Sequence, residues 1–189
     1  MLTIIANKLT KHLINSGVVS SDLYEVYMYG FEVLISSLFS TLLIIIIGII
    51  TGKFVETLFF LFVFISLRSF TGGFHANKYW ICTILTFSIY GAVMLLSTLD
   101  ILSVFAYYVL LPIGVILLSI KAPILNPNKY LTNKEIQHHK FVSVVLFIMI
   151  VLFGVLLINK ATTISNTIYY TLIADLVLMF VKSQYVTTE

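Results

Sequence analysis

Residues 33–51 read VLISSLFSTLLIIIIGIIT, a run without a single charged side chain. A helix needs about 20 mostly apolar residues to cross a hydrocarbon core of roughly 30 Å, so this stretch reads as a membrane span. The whole chain agrees with it. Of its 189 residues 60% are hydrophobic and 10% charged, with a mean hydropathy of +1.08, whereas an ordinary soluble domain carries about 25% charged residues. So few charges cannot cover a water-facing surface, which excludes a soluble globular fold, a disordered chain and a collagen-like one. One cysteine, Cys82, excludes an internal disulfide and a four-thiolate metal site. A net charge of +3 with scattered lysines gives no footprint for nucleic acid.

Working outward, further uncharged runs cover 79–99, 101–120 and 141–159, and two weaker segments complete the set: 54–67, which holds Glu56, and 161–181, which holds Asp175. The expected fold is an all-α integral membrane protein of about six spans. Lys and Arg are retained in cytoplasmic loops. With the N-terminus inside, Lys8, Lys11, Arg68, Lys78, Lys121, Lys129, Lys134, Lys140 and Lys182 fall on the inner side, against Lys53 and Lys160 outside. Both termini are therefore expected in the cytoplasm. Residues 1–20 lack the apolar core of a signal peptide. Leu2, Ile5, Ala6, Leu9 and Leu13 share one face at helical spacing, which suits an amphipathic helix in the headgroup plane, against a partner helix, or flanking the first span. Ser20-Ser21-Asp22 has the composition of a cap for the helix that follows. No internal repeat supports an inverted-repeat transporter.

Chemistry concentrates in residues 68–82, RSFTGGFHANKYWIC. The residues between Lys53 and Arg68 span only roughly 21 Å as helix, so either the bilayer thins there or Arg68 and the Gly72-Gly73 turn lie below the interface. Irregular backbone at that depth must be buried in protein or line a wet cavity, which predicts a recessed polar pocket. A thiol reacts as thiolate and needs a base or a favourable field. His75 supplies that base, provided it lies on a loop folded back over the helix, because seven residues of continuous helix would hold it roughly 10 Å from Cys82. Gly72 and Gly73 give such a loop its freedom and offer backbone N–H groups to an oxyanion. Asn77 suits the N-cap of the third helix, which would place Cys82 near a positive helix end, and it is equally placed to orient His75.

Each residue also has a bland reading: an apolar-filler cysteine, a solvated histidine, a plain turn, a positive-inside anchor. Asp175 is the costliest residue by position; an interhelical hydrogen bond is the preferred reading. Glu32 and Glu56 lie near helix ends. His138 and His139 are adjacent and point in different directions on a helix, with no completing ligand, so they read as an interfacial cluster and not as a metal site.

The pattern R-x-x-x-G-G-x-H-A, with Cys82 seven residues after His75, resembles the AgrB family of membrane peptidases of Gram-positive bacteria. Length, apolar segments and a hydrophilic loop with Ala122-Pro123 and Asn126-Pro127-Asn128-Lys129 are similar to that family from end to end. The resemblance implies one membrane peptidase domain over 1–189, with an interfacial helix at 1–20 and cytoplasmic-side loops at 71–78 and 121–140. It implies a bacterial plasma-membrane cysteine endopeptidase, without cofactor or metal, that cleaves an AgrD-like propeptide and closes the product into a thiolactone or lactone. His75 and Cys82 would be catalytic, with Arg68, Gly72 and Gly73 as supporting motif positions. Lys121, Lys129 and Lys134 would attract the propeptide's acidic tail weakly, because Glu135 lies among them. A homodimer is implied as well. The rival from another class is a small transporter or channel that uses Glu32, Glu56 and Asp175 as an ion path; a third is a non-catalytic assembly partner in which Cys82 is dispensable.

Overall fold

The computed structural model describes residues 2–72, 79–99, 104–124 and 132–180. These form α1 (Leu2–Asn15), a 3-10 turn (Ser21–Leu23), α2 (Tyr24–Ile50), α3 (Phe54–Thr71), α4 (Tyr79–Leu96), α5 (Val104–Lys121), α6 (Asn133–Leu157) and α7 (Thr162–Leu178). The described residues are thus all-helical, apart from one isolated backbone bridge between Gly72 and Ile124. Four helices are long and apolar enough to cross a membrane: Ser21–Ile50, Phe54–Thr71, Val104–Lys121 and Asn133–Leu157. α4 carries a shorter apolar stretch, Ile81–Leu96.

Contacts at the helix ends fix how the helices run. Lys53 Nζ, just before α3, donates to the Met94 carbonyl near the end of α4 (2.9 Å). Asn166 Nδ2, in the second turn of α7, donates to the Ser97 and Leu99 carbonyls just past α4, both at 3.2 Å. α3 and α7 therefore start at one end of the bundle. At the other end Ile124 N, beyond α5, donates to the Thr71 carbonyl (2.8 Å), and Lys121 Nζ lies 3.8 Å from the centre of the Phe180 ring beyond α7. α3, α5 and α7 run in parallel and finish together.

α3 stands at the junction of two cores. Val63 and Leu67 pack with Tyr107 of α5, Phe147 of α6 and Leu172 of α7; Phe60 and Phe64 pack with Ile44 of α2 and Tyr90 of α4. Lipid tails are as apolar as leucine, so helices in a bilayer associate through close packing and polar contacts rather than through exclusion from water. Both devices are present. Thr57 and Tyr90 share a hydroxyl hydrogen bond of 2.8 Å, and Tyr107 Oη donates to the Ser165 carbonyl (2.7 Å). Gly114 lies directly under the Phe147 ring, where an added Cβ would overlap the ring atoms. Gly114→Ala is therefore expected to lower stability by about 1–3 kcal/mol, with partial recovery in the Gly114→Ala/Phe147→Leu double variant. Thermal melting in detergent checks this, and an unchanged midpoint in the single variant contradicts it.

Four sequence expectations change. α3 does not stop at Leu67; it continues through Arg68 to Thr71, about 27 Å of helix at 1.5 Å per residue, so Arg68 lies inside its last turn. α6 begins at Asn133, so residues 133–140 of the expected 121–140 loop are helix. It starts on a capping box in which the Thr132 hydroxyl accepts from Glu135 N and the Glu135 carboxylate accepts from Thr132 N (2.8 Å). Ser20 precedes the 3-10 turn in extended conformation but makes no side-chain capping bond. On α1 the buried residues are Ala6 and Thr10, while Ile5 and Leu9 are exposed. The small side of that helix meets α2, where Tyr24 Oη donates to Asn7 Oδ1 (3.1 Å), and its larger apolar residues face outward.

Candidate functional site

α3 ends where it does because Gly72 adopts φ +69°, ψ −158°, a region that residues with a Cβ avoid. Its N–H still donates to the Arg68 carbonyl (3.1 Å), and its backbone lies against Ile124. An added Cβ would sit 2.5 Å from the Ile124 carbonyl oxygen. The segment after α5 is thereby clipped to the end of α3, with Pro123 and Ile124 forming one wall of a cavity of about 670 Å³.

The other walls come from α2, α3, α4 and α6. α2 contributes residues from Tyr29 to Ile44, about 22 Å of helix. Arg68 and Ser69 line it from α3, Cys82, Thr83 and Thr86 from α4, and His139 from α6. Cys82 lies in the first described turn of α4 and is partly exposed. Its carbonyl accepts from Thr86 Oγ1 (2.9 Å), while the next residue, Thr83, shares a 3.1 Å hydroxyl contact with Ser40 that fastens α4 to α2. The Arg68 guanidinium carbon lies 5.5 Å from the Phe64 ring centre. The cavity therefore joins the chain's single thiol, a guanidinium and the helix-ending glycine within mostly apolar walls, an environment in which fixed donors act strongly on developing charge.

Of the residues singled out from sequence, Arg68, Gly72 and Cys82 line this one cavity. Gly73, His75, Asn77 and Lys129 lie outside the described residues. Lys121 points to Phe180 and is absent from the cavity lining; Lys134 is exposed in the first turn of α6. His139, expected to form an interfacial cluster with His138, lines the cavity instead. It parts from its exposed neighbour His138, packs its ring 5.5 Å from Phe70 and faces the cavity. The Thr132-x-x-Glu135 pattern, a helix-start signature, sets the start of α6 and places His139 in its second turn. Glu32, Glu56 and Asp175 do not form one row: Glu56 is in the first turn of α3, at the opposite end of the bundle from Asp175, which lies three residues before the end of α7.

Described residues that are helical, four helices long and apolar enough to cross a membrane, and a cavity holding the thiol near one end of the bundle are the features of an all-α membrane protein with an internal site. The chain belongs to the AgrB family: the family model for accessory gene regulator B matches residues 3–182. It is 28% identical over 166 residues to AgrB-like protein 1 of Clostridium perfringens (strain 13 / Type A), covering 85% of this chain and 86% of that one. With AgrB-like protein 2 of the same organism it shares 36% identity over 61 residues, 32% of this chain and 28% of the other. No solved structure matches. Membership gives the chain a role in the accessory gene regulator system, in processing of the autoinducer precursor, with an AgrD-like propeptide as its associate.

Proposed function

We propose that this chain is a membrane cysteine endopeptidase and peptide cyclase acting on an AgrD-like propeptide. The observation that supports this most is the shared cavity: the chain's single cysteine opens into the same space as Arg68 and Gly72, two other positions of its family signature. In the proposed reaction His75 takes the Cys82 proton and the thiolate attacks the carbonyl at the C-terminal end of the signal segment. The tetrahedral oxyanion is held by the Arg68 guanidinium or by the Gly73 backbone N–H, the Gly72 N–H being engaged by the Arg68 carbonyl. The C–N bond breaks, His75 protonates the departing amine, and the acidic tail leaves. A thiol or hydroxyl within the precursor then attacks the Cys82 thioester, which closes the ring and returns the free thiol. Exchange of one thioester for another keeps the acyl group activated, so closure to a thiolactone needs no external energy source. Mostly apolar walls suit this route, because water would otherwise compete for the acyl group.

The proposed setting is a bacterial plasma membrane crossed six times by α2 to α7. Both termini and the Cys82 end of the bundle face the cytoplasm, α1 lies at the interface with its exposed Ile4, Ile5 and Leu9 toward lipid, and two copies form a dimer. Lys121, Lys129 and Lys134 attract the acidic tail by a screened, salt-sensitive field. The proton-transfer half of the mechanism is tested with His75→Ala. Tail release is expected to fall by about 10³-fold or more while the protein still inserts and still binds the propeptide. Processing at the wild-type rate in that variant would remove His75 from the mechanism.

A further inference from the structure

The depth of Cys82 bears on how a peptide reaches it. The hydroxyl contact between Thr83 and Ser40 puts the first turn of α4 level with Ser40 of α2, ten residues before the end of that helix at Ile50. α3 gives the same depth. Gly48 and Thr57 lie so close that a Cβ on Gly48 would overlap the Thr57 side chain. Antiparallel helices in that register bring Ile44 level with Leu61, and Ser40 level with Ile65. Ile44 and Leu61 do share one buried cluster. Ser40 and Ile65 are thus each about 15 Å from the far end of their helix, close to half of a hydrocarbon core of roughly 30 Å. Both α2 and α3 are long and apolar enough to cross that core.

At that depth the cavity is asymmetric. On its inner wall Ser40, Ile44, Leu61 and Phe64 are buried. Its α2–α3 side is different: Leu34 is 53%, Leu38 62% and Ile65 47% exposed, although all three line the cavity. A side chain that lines a cavity and also faces outward marks its rim. The rim therefore runs along the outer side of these two helices, near the level of the thiol. Ser37 and Thr41, one turn apart on the cavity face of α2, supply hydroxyls to a peptide backbone, whose polar groups hydrocarbon cannot satisfy.

We propose that the cavity opens sideways between α2 and α3 and admits an apolar, membrane-partitioned segment of the propeptide from the bilayer. A peptide arriving from water would shed its hydration to reach a thiol at that depth. An apolar segment already in lipid exchanges one set of apolar contacts for another and brings little water to the thioester. The opening is independent of the proposed peptidase activity; its use by a propeptide rests on that activity.

Two measurements on the full-length protein in lipid nanodiscs separate these levels. Cys82 is the only cysteine, so its alkylation reads access directly. N-Benzylmaleimide, which dissolves in the bilayer, is expected to modify it at least about tenfold faster than a sulfonated, membrane-impermeant maleimide, each rate taken relative to the same reagent with glutathione in water. Filling the rim in Leu38→Trp/Ile65→Trp is expected to slow the apolar reagent about tenfold and leave the sulfonated one unchanged. If that variant melts early, the opposite change, Leu38→Ala/Ile65→Ala, is expected to speed the apolar reagent. Equal rates for the two reagents, or an apolar rate indifferent to the rim, overturn the lateral opening. The second measurement places p-benzoylphenylalanine at Leu38, where it is expected to photocrosslink an AgrD-like precursor. The same probe at Leu42, exposed but outside the cavity lining, is expected to take lipid alone. Adducts to a second copy of the chain at Leu38 would make the rim a subunit interface, and lipid alone at both positions would leave the precursor to another route; either result removes the proposed entry. Wild-type protein that never cleaves the precursor refutes the peptidase reading, and the alkylation rates then judge the opening by themselves.

Discussion

Replacing Cys82 with alanine is expected to reduce release of the propeptide tail by about 10⁴-fold or more, the scale on which removal of a covalent nucleophile acts. The expectation is sharp because the chain has one cysteine, so no neighbouring thiol can take over. It also separates chemistry from folding. Cys82 is only partly buried, and the bond that fixes its turn uses its backbone carbonyl, which receives the Thr86 hydroxyl and survives the substitution. The melting midpoint and membrane insertion should stay close to wild type. Quantifying released tail by mass spectrometry, beside a melting curve of the same preparation, reads both. Equal processing by Cys82→Ala and wild type would return the protein to a transport or assembly role.

The second large effect is expected at Gly72. Alanine there meets two independent penalties. Its backbone would have to hold φ +69°, ψ −158°, which costs about 1–3 kcal/mol for a residue with a Cβ. The new methyl would also press on the Ile124 carbonyl oxygen at 2.5 Å, and the rigid neighbour is backbone. Overpacking adds about 1–3 kcal/mol. The clip between the end of α3 and the segment after α5 should open, taking Pro123 and Ile124 out of the cavity wall, so processing is expected to fall at least tenfold even in protein that still inserts. Gly91→Ala is the matched control: Gly91 lies inside α4 with open space around its Cβ position, and its substitution should leave processing unchanged. A Gly72→Ala protein with wild-type melting and activity would show that neither the dihedral nor the contact matters.

The helices were legible because each uncharged run can only be hydrocarbon-compatible helix, and each of the six expected segments falls within or largely overlaps one of α2 to α7. Their ends were less legible. Counting from charge to charge ends the second span at Leu67, but a guanidinium can sit inside the last turn of a helix when that helix offers it an aromatic face, here the Phe64 ring. Charges up to Lys140 likewise suggest a loop over 121–140, although a capping box starts α6 at Asn133. On α1, spacing grouped the apolar residues correctly but not the side that meets protein, since small Ala6 and Thr10 admit the close approach that Ile5 and Leu9 do not. Within the site, linear proximity made Arg68, Gly72 and Cys82 visible as a group. His139 and Asp175 reach the same end of the bundle from α6 and α7, and only the tertiary arrangement brings them there.

The most direct test is the intact mass of the purified protein after incubation in lipid with an AgrD-like precursor. Covalent catalysis requires a transient increase equal to the precursor without its tail, located at Cys82 and removed by hydroxylamine, with free tail appearing at the same rate. Unmodified protein and intact precursor, from a folded sample to which the precursor demonstrably binds, would contradict the acyl-enzyme mechanism.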